Sequence, residues 1–263
     1  MLAIFASVWR WRRLVWTLGR RDFQARYAGS ALGALWAVLE PAVQFALYLT
    51  VFSYFLGMKL EGRPGMGAFG LYLVTGLVPF LAFQEALMRA VGLARSQANL
   101  VRHLTTPLEV LAAGAFLAIL GRYAIALALV IVTAAGLGSL AWAQLPWLVV
   151  GVLLLVVGSW GMTLLLVPGG AFLPDLGQVV GTGTMVLFFL TPVVYPESVV
   201  PRTVAPWLAL NPLVGVLDAF RAVITGTGPS ALRLVGAAAG AGLCLAAGST
   251  VFRRRAWAIR DVV

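Results

Sequence analysis

Few residues in this sequence could do covalent chemistry. His103 is the single histidine of 263 residues, so a Ser/His/Asp triad or a histidine-built metal cluster would depend on one ring. The single lysine, Lys59, stands in GMKL and not at the end of a GxxxxGK[ST] loop, which rules out a P-loop for nucleotide phosphates. Catalysis by paired acids inside a membrane needs two carboxylates at one depth, facing each other. Glu40, Glu85, Glu109, Asp175 and Asp218 instead fall in different apolar runs or at their ends. Cys244 is the only cysteine, which leaves no intrachain disulfide and no CxxC pair. The chain is expected to hold no catalytic site, no metal and no cofactor of its own.

What remains is a set of charges in apolar surroundings, each of which needs a partner or water. Glu85 and Arg89, four residues apart, are predicted to pair on one helix face or to line a pathway. Arg122 lies deep in an apolar run and is predicted to meet Glu85 or Glu109, or to serve as a pathway residue. Asp218 and Arg221, three apart, are predicted to tie together a short helix.

The elements that must position these residues are membrane helices. Apolar residues make up 61% of the chain and charged ones 11%, so its solvent is lipid. The fold predicted is all-α: one polytopic transmembrane domain over 1–263 with six spans, at 34–57, 68–88, 110–137, 146–171, 178–195 and 231–252. The net charge of +10 comes from short basic clusters beside those runs, without the aromatic-studded groove of a nucleic-acid binder. Six spans put both termini on one side, and the arginines at 10–26, 89–102 and 253–260 make that side cytoplasmic. In 1–30, Ile4, Val8, Trp11, Val15 and Leu18 share one helical face opposite Arg10, Arg13 and Arg20, as in an amphipathic helix lying in the interface. Residues 90–107 are polar and basic and project into the cytoplasm as a loop or helix. Residues 196–228, broken by Pro201, Pro206 and Pro212, are expected to form a re-entrant pair of short helices between spans five and six.

Three motifs then stand in order along the chain: RRDFQARYAGSALGALWAVLEP over 20–41, FFLTPVVYPESVVP over 188–201 and NPLVGVLDAFRAVITG over 211–226. Together they resemble the permeases of polysaccharide-exporting ABC transporters, of the ABC-2 type. The resemblance implies a homodimeric channel in the inner membrane, served by two copies of a separate ATPase subunit that carries the ATP and Mg. Its expected cargo is a polysaccharide linked to a polyprenyl diphosphate or another lipid. O-antigen is the first reading, and capsular polysaccharide or teichoic acid the alternative. An ion-coupled carrier would need more polar residues at the midplane, and a lipid-modifying enzyme a His/Asp cluster. The resemblance places ATPase contacts on Arg20, Arg21, Asp22 and Arg26 of the interfacial helix and on Arg95, Asn99, Arg102 and His103 of the cytoplasmic loop. A sugar polymer slides most easily past aromatic rings and small residues. Tyr48, Phe52, Tyr54, Phe55, Trp160, Phe188, Phe189 and Tyr195 are the candidate pathway residues.

Overall fold

The computed structural model describes residues 2–57, 66–97, 106–201, 203, 207–208, 210–256 and 259. The described residues form nine α-helices and no strand. Helices α1 (Leu2–Arg10) and α2 (Arg12–Tyr27) are separated only by Trp11. They are followed by α3 (Trp36–Tyr48), α4 (Met66–Ser96), α5 (Leu108–Gly136), α6 (Leu145–Phe172), α7 (Leu176–Leu190), α8 (Pro212–Thr225) and α9 (Ala231–Arg255). Helix α3 runs on into a π-helical segment, Leu49–Phe55, where the Leu56 amide donates to the Val51 carbonyl five residues back.

Local sequence explains the sharpest boundaries. Asn211 caps α8 by accepting from the Leu213 amide at 3.0 Å, and Pro212 supplies a first residue that has no amide to satisfy. The same helix ends at Gly226, whose φ of 76° is a left-handed conformation that glycine adopts without penalty.

Among the described residues, five segments are long and apolar enough to cross a membrane: Gly33–Phe55, Gly67–Ser96, Leu108–Gly136, Trp142–Phe172 and Ala231–Arg255. The run predicted as a further span, 178–195, is realised as the 15-residue α7. At 1.5 Å per residue that is about 22 Å, short of a hydrocarbon core of about 30 Å. The chain leaves the helix at Thr191, ahead of Pro192. The expected pair of re-entrant helices is also modified. Its second arm is α8, whereas the first contains, among the described residues, only the 3-10 turn Glu197–Val199 and a helical turn at 207–208.

The bundle is held by close helix approaches. Helix α9 packs most extensively on α6, along a seam where Gly161 and Gly248 leave no room for a Cβ and Gly158 faces Ala241. Small residues of this kind bring membrane helices into backbone contact. Helix α2 lies on α5, where Gly114 receives the Leu18 side chain and Gly19. Two ends result. At the α2 end, Ala94, Leu111, Ala171 and Ile259 are buried together, bringing the last turns of α4 and α6, the first turns of α5 and the C-terminal segment beside Leu18. At the other end, Phe69, Tyr72, Leu73, Val193 and Leu217 form a second core.

Candidate functional site

Each end carries one cluster of charged side chains. At the α2 end, Arg122 of α5 is 8% exposed and pairs with Glu85 of α4. The guanidinium also lies 4.9 Å from the ring centroid of Tyr123, whose hydroxyl donates to Glu85 Oε2 at 3.1 Å. Arg26 of α2 reaches the same carboxylate at 3.5 Å and Glu40 of α3 at 3.4 Å. Beside it, Arg89 donates to Asp22 of α2 at 2.6 Å. Four helices thus meet through three arginines and three carboxylates, with cavities of about 330 and 200 Å³ on either side of Arg26.

This geometry revises the sequence pairing in one place and selects among alternatives in another. Glu85 and Arg89 do not pair with each other. Each turns to a different helix, because α2 brings Asp22 within reach of Arg89 while α5 presents a buried guanidinium to Glu85. Of the two partners expected for Arg122, the structure selects Glu85. The participation of Glu40 and Tyr123 was not foreseen. Their spacing from Glu85 gives no local pattern, and only the packing of α3 and α5 on α4 joins them.

At the far end, Arg221 of α8 is 3% exposed. It donates to the carbonyls of Tyr72 at 3.4 Å and Val193 at 2.7 Å and lies 3.8 Å above the Tyr72 ring. Gly76 makes the space for it, since a Cβ there would press on the guanidinium. Arg233 of α9 donates to both Glu197 oxygens, at 2.7 and 2.8 Å, and to Asp218 at 2.8 Å. The expected Asp218–Arg221 pairing is therefore replaced: Asp218 turns to Arg233, and Arg221 to main-chain carbonyls. These groups line a recess of about 300 Å³ together with Thr225, Thr227 and Ser230. Arg233 and Glu197 lie 36 residues apart, and no local rule could have joined them.

The residues expected to meet an ATPase separate into three groups. Arg20 and Arg21 are exposed on α2 and Arg95 is exposed near the end of α4, its guanidinium 3.5 Å from the Ala171 carbonyl. Asp22 and Arg26 are engaged within the chain. Asn99, Arg102 and His103 lie outside the described residues. The aromatic candidates divide as well. Trp160 is buried against Phe116 within this chain, away from its outer surface. Tyr48 and Phe52 are half-buried in a series of ring contacts that continues through Phe69 to Tyr72. Phe188 packs edge-on to Phe80, and Tyr195 donates to the Phe189 carbonyl at 2.7 Å. Tyr54, Phe55 and Phe189 present their rings outward. No group of three or more His, Cys, Asp or Glu among the described residues could hold a metal ion.

Comparison with known proteins gives the constellation a context. The chain is 26% identical over 258 residues to the O-antigen export system permease protein RfbA of Myxococcus xanthus, covering 97% of each chain. It is 26% identical over 205 residues to the polysialic acid transport protein KpsM of Escherichia coli, covering 78% of each. The capsule polysaccharide export inner-membrane protein CtrC of Neisseria meningitidis serogroup B is 26% identical over 216 residues, covering 80% of this chain and 78% of the relative. The sequence pattern of the ABC-2 type transporter family matches residues 13–225, a stretch that contains the α2-end charge cluster and Glu197, Asp218 and Arg221 of the far one but not Arg233, and the chain therefore belongs to that family.

Proposed function

We propose that this chain is the channel-forming permease subunit of an ATP-driven exporter that moves lipid-linked polysaccharide, O-antigen in the first instance, across the inner membrane. It works as a homodimer with two copies of a separate ATPase subunit, which bind and hydrolyse ATP with Mg; this chain has no catalytic site. The observation that carries this reading is the likeness to an O-antigen export permease over 97% of both chains. Relatives named for polysialic acid and capsule export favour a second reading, capsular polysaccharide, and teichoic acid remains the third.

The arginine-rich α2 end supports a cytoplasmic position for both termini, since basic residues stay on that side during insertion. Arg20, Arg21 and Arg95 are exposed there and can meet an acidic surface of the ATPase, and Arg102 and His103 belong to the same contact in sequence. Phe55 and Phe189, whose rings face outward from one protomer, would line the pathway closed off by a second.

The test has two parts. Co-expression with the neighbouring ATPase should give a complex that purifies intact and hydrolyses ATP. Replacing Arg95, Arg102 and His103 together by Ala should weaken assembly and turnover, and unchanged values would overturn the contact assignment. In cells lacking their own O-antigen permease, the complex should restore O-antigen at the surface. Restoration of capsule in capsule-permease-deficient cells, without any of O-antigen, would transfer the assignment to the second reading.

A further inference from the structure

We infer that Glu85 is a positioning residue for export, a carboxylate through which displacement of α2 is passed to α5 alongside their direct packing. This rests on the proposed function, in which α2 is touched by the ATPase, and adds to it the route by which that contact reaches the spans. Helix α2 has two working sides. Arg20 and Arg21 are exposed, while Asp22 and Arg26 are directed inward, onto Arg89 and onto Glu85 and Glu40. Among the described residues, Glu85 alone meets cations from two other helices: Arg26 of α2 and the buried Arg122 of α5.

The contacts are graded in a way that suits transfer. Asp22 and Arg89 meet at 2.6 Å, which keeps α2 attached to α4. Arg26 is long-reaching and half exposed, and it divides itself between two carboxylates at 3.4 and 3.5 Å. Cavities of about 330 and 200 Å³ adjoin its guanidinium, both lined also by Glu85 and Arg122 and the smaller one by Glu40, so there is open space beside it toward Glu40. When the guanidinium moves there, Glu85 loses one of its two cations and its full charge falls on Arg122. An opposite charge at close range in low-dielectric surroundings is a strong force on the helix that carries it. Helices α2 and α5 also pack directly, Leu18 against Gly114 and Leu117 against Gly19, so the Glu85 contact acts beside that interface and not in place of it.

The decisive experiment separates transfer from folding. Removing one member of a buried pair strands the other, whereas neutralising both is often tolerated. The variant is therefore Glu85→Gln with Arg122→Gln, made in the complete complex with its ATPase in the host strain. Three quantities are measured: complex recovered, ATP turnover in nanodiscs, and surface polysaccharide made by that strain. The expected result is complex and ATP turnover near those of the unaltered protein, with export per ATP reduced roughly tenfold, the size of an ordinary coupling between sites. Unchanged export per ATP would overturn the inference. So would loss of the complex in the double variant, because Glu85 would then be a folding element only. If the unaltered complex neither hydrolyses ATP nor exports, the proposed function itself fails, and this inference with it.

Discussion

At the Tyr72 end of the bundle Arg221 is 3% exposed and bonded to main-chain carbonyls. At the α2 end the Arg26 side chain is 46% exposed and shared between two carboxylates at the outer limit of contact. The same residue type does opposite things. A guanidinium that donates to two carbonyls and covers an aromatic ring has one geometry available to it, and any shift costs several contacts at once. A guanidinium that touches Glu40 and Glu85 at once, each through one nitrogen at 3.4 and 3.5 Å, is held by two weak contacts only. The far-end arginine is thus held by several close contacts at once and Arg26 by two long ones.

The comparison can be broken most directly at Arg221. Arg221→Ala leaves the Tyr72 and Val193 carbonyls without their donor and opens a void beside Gly76. The expected loss is on the order of 2–4 kcal/mol, seen as a marked fall in thermal stability of the purified protein. Near-unchanged stability would mean that Arg221 is dispensable and the far end is held by other contacts. Next in size is Arg233→Ala, which strands Glu197 and Asp218. It should cost about 1–3 kcal/mol because the pair is partly exposed, and adding Glu197→Gln and Asp218→Asn should recover most of that. Failure of this rescue would show that Arg233 contributes packing and not charge. The smallest effect is expected at Arg26→Ala, below about 1 kcal/mol for a half-exposed ion pair. A large loss of stability there would erase the contrast between the two ends.

Much of this arrangement was legible in the sequence, for reasons that also mark where reading stopped. Long apolar runs such as 110–137 and 146–171 became helices at nearly the same residues, because length and hydropathy alone decide that outcome. The run 178–195 did not, since Thr191 and Pro192 end the helix before it is long enough. Spacing rules failed for the charges. The four-residue interval of Glu85 and Arg89 permits a pair, yet partners from other helices lie closer and are less easily replaced. The same limit applies to Trp160: apolar periodicity cannot distinguish a ring facing a pathway from one buried against Phe116. The π-helical Leu49–Phe55 segment turns Tyr54 and Phe55 outward together, a register that a 100° wheel cannot anticipate. The family motifs helped at the level of the whole chain, where packing detail is not needed.

The charges on α2 have one more consequence. Moving one elementary charge through the full membrane potential involves about 2.3 kcal/mol per 100 mV, enough to bias any charged lever that travels through the field. Asp22 and Arg26 carry one negative and one positive charge on the same helix. Those two cancel, but Arg12, Arg13, Arg20 and Arg21 leave the helix a net charge of +4, so a stroke along the membrane normal would move charge through the field and its cost would depend on voltage. Any part of such a stroke taken along the membrane normal would therefore need different work in energised and de-energised cells.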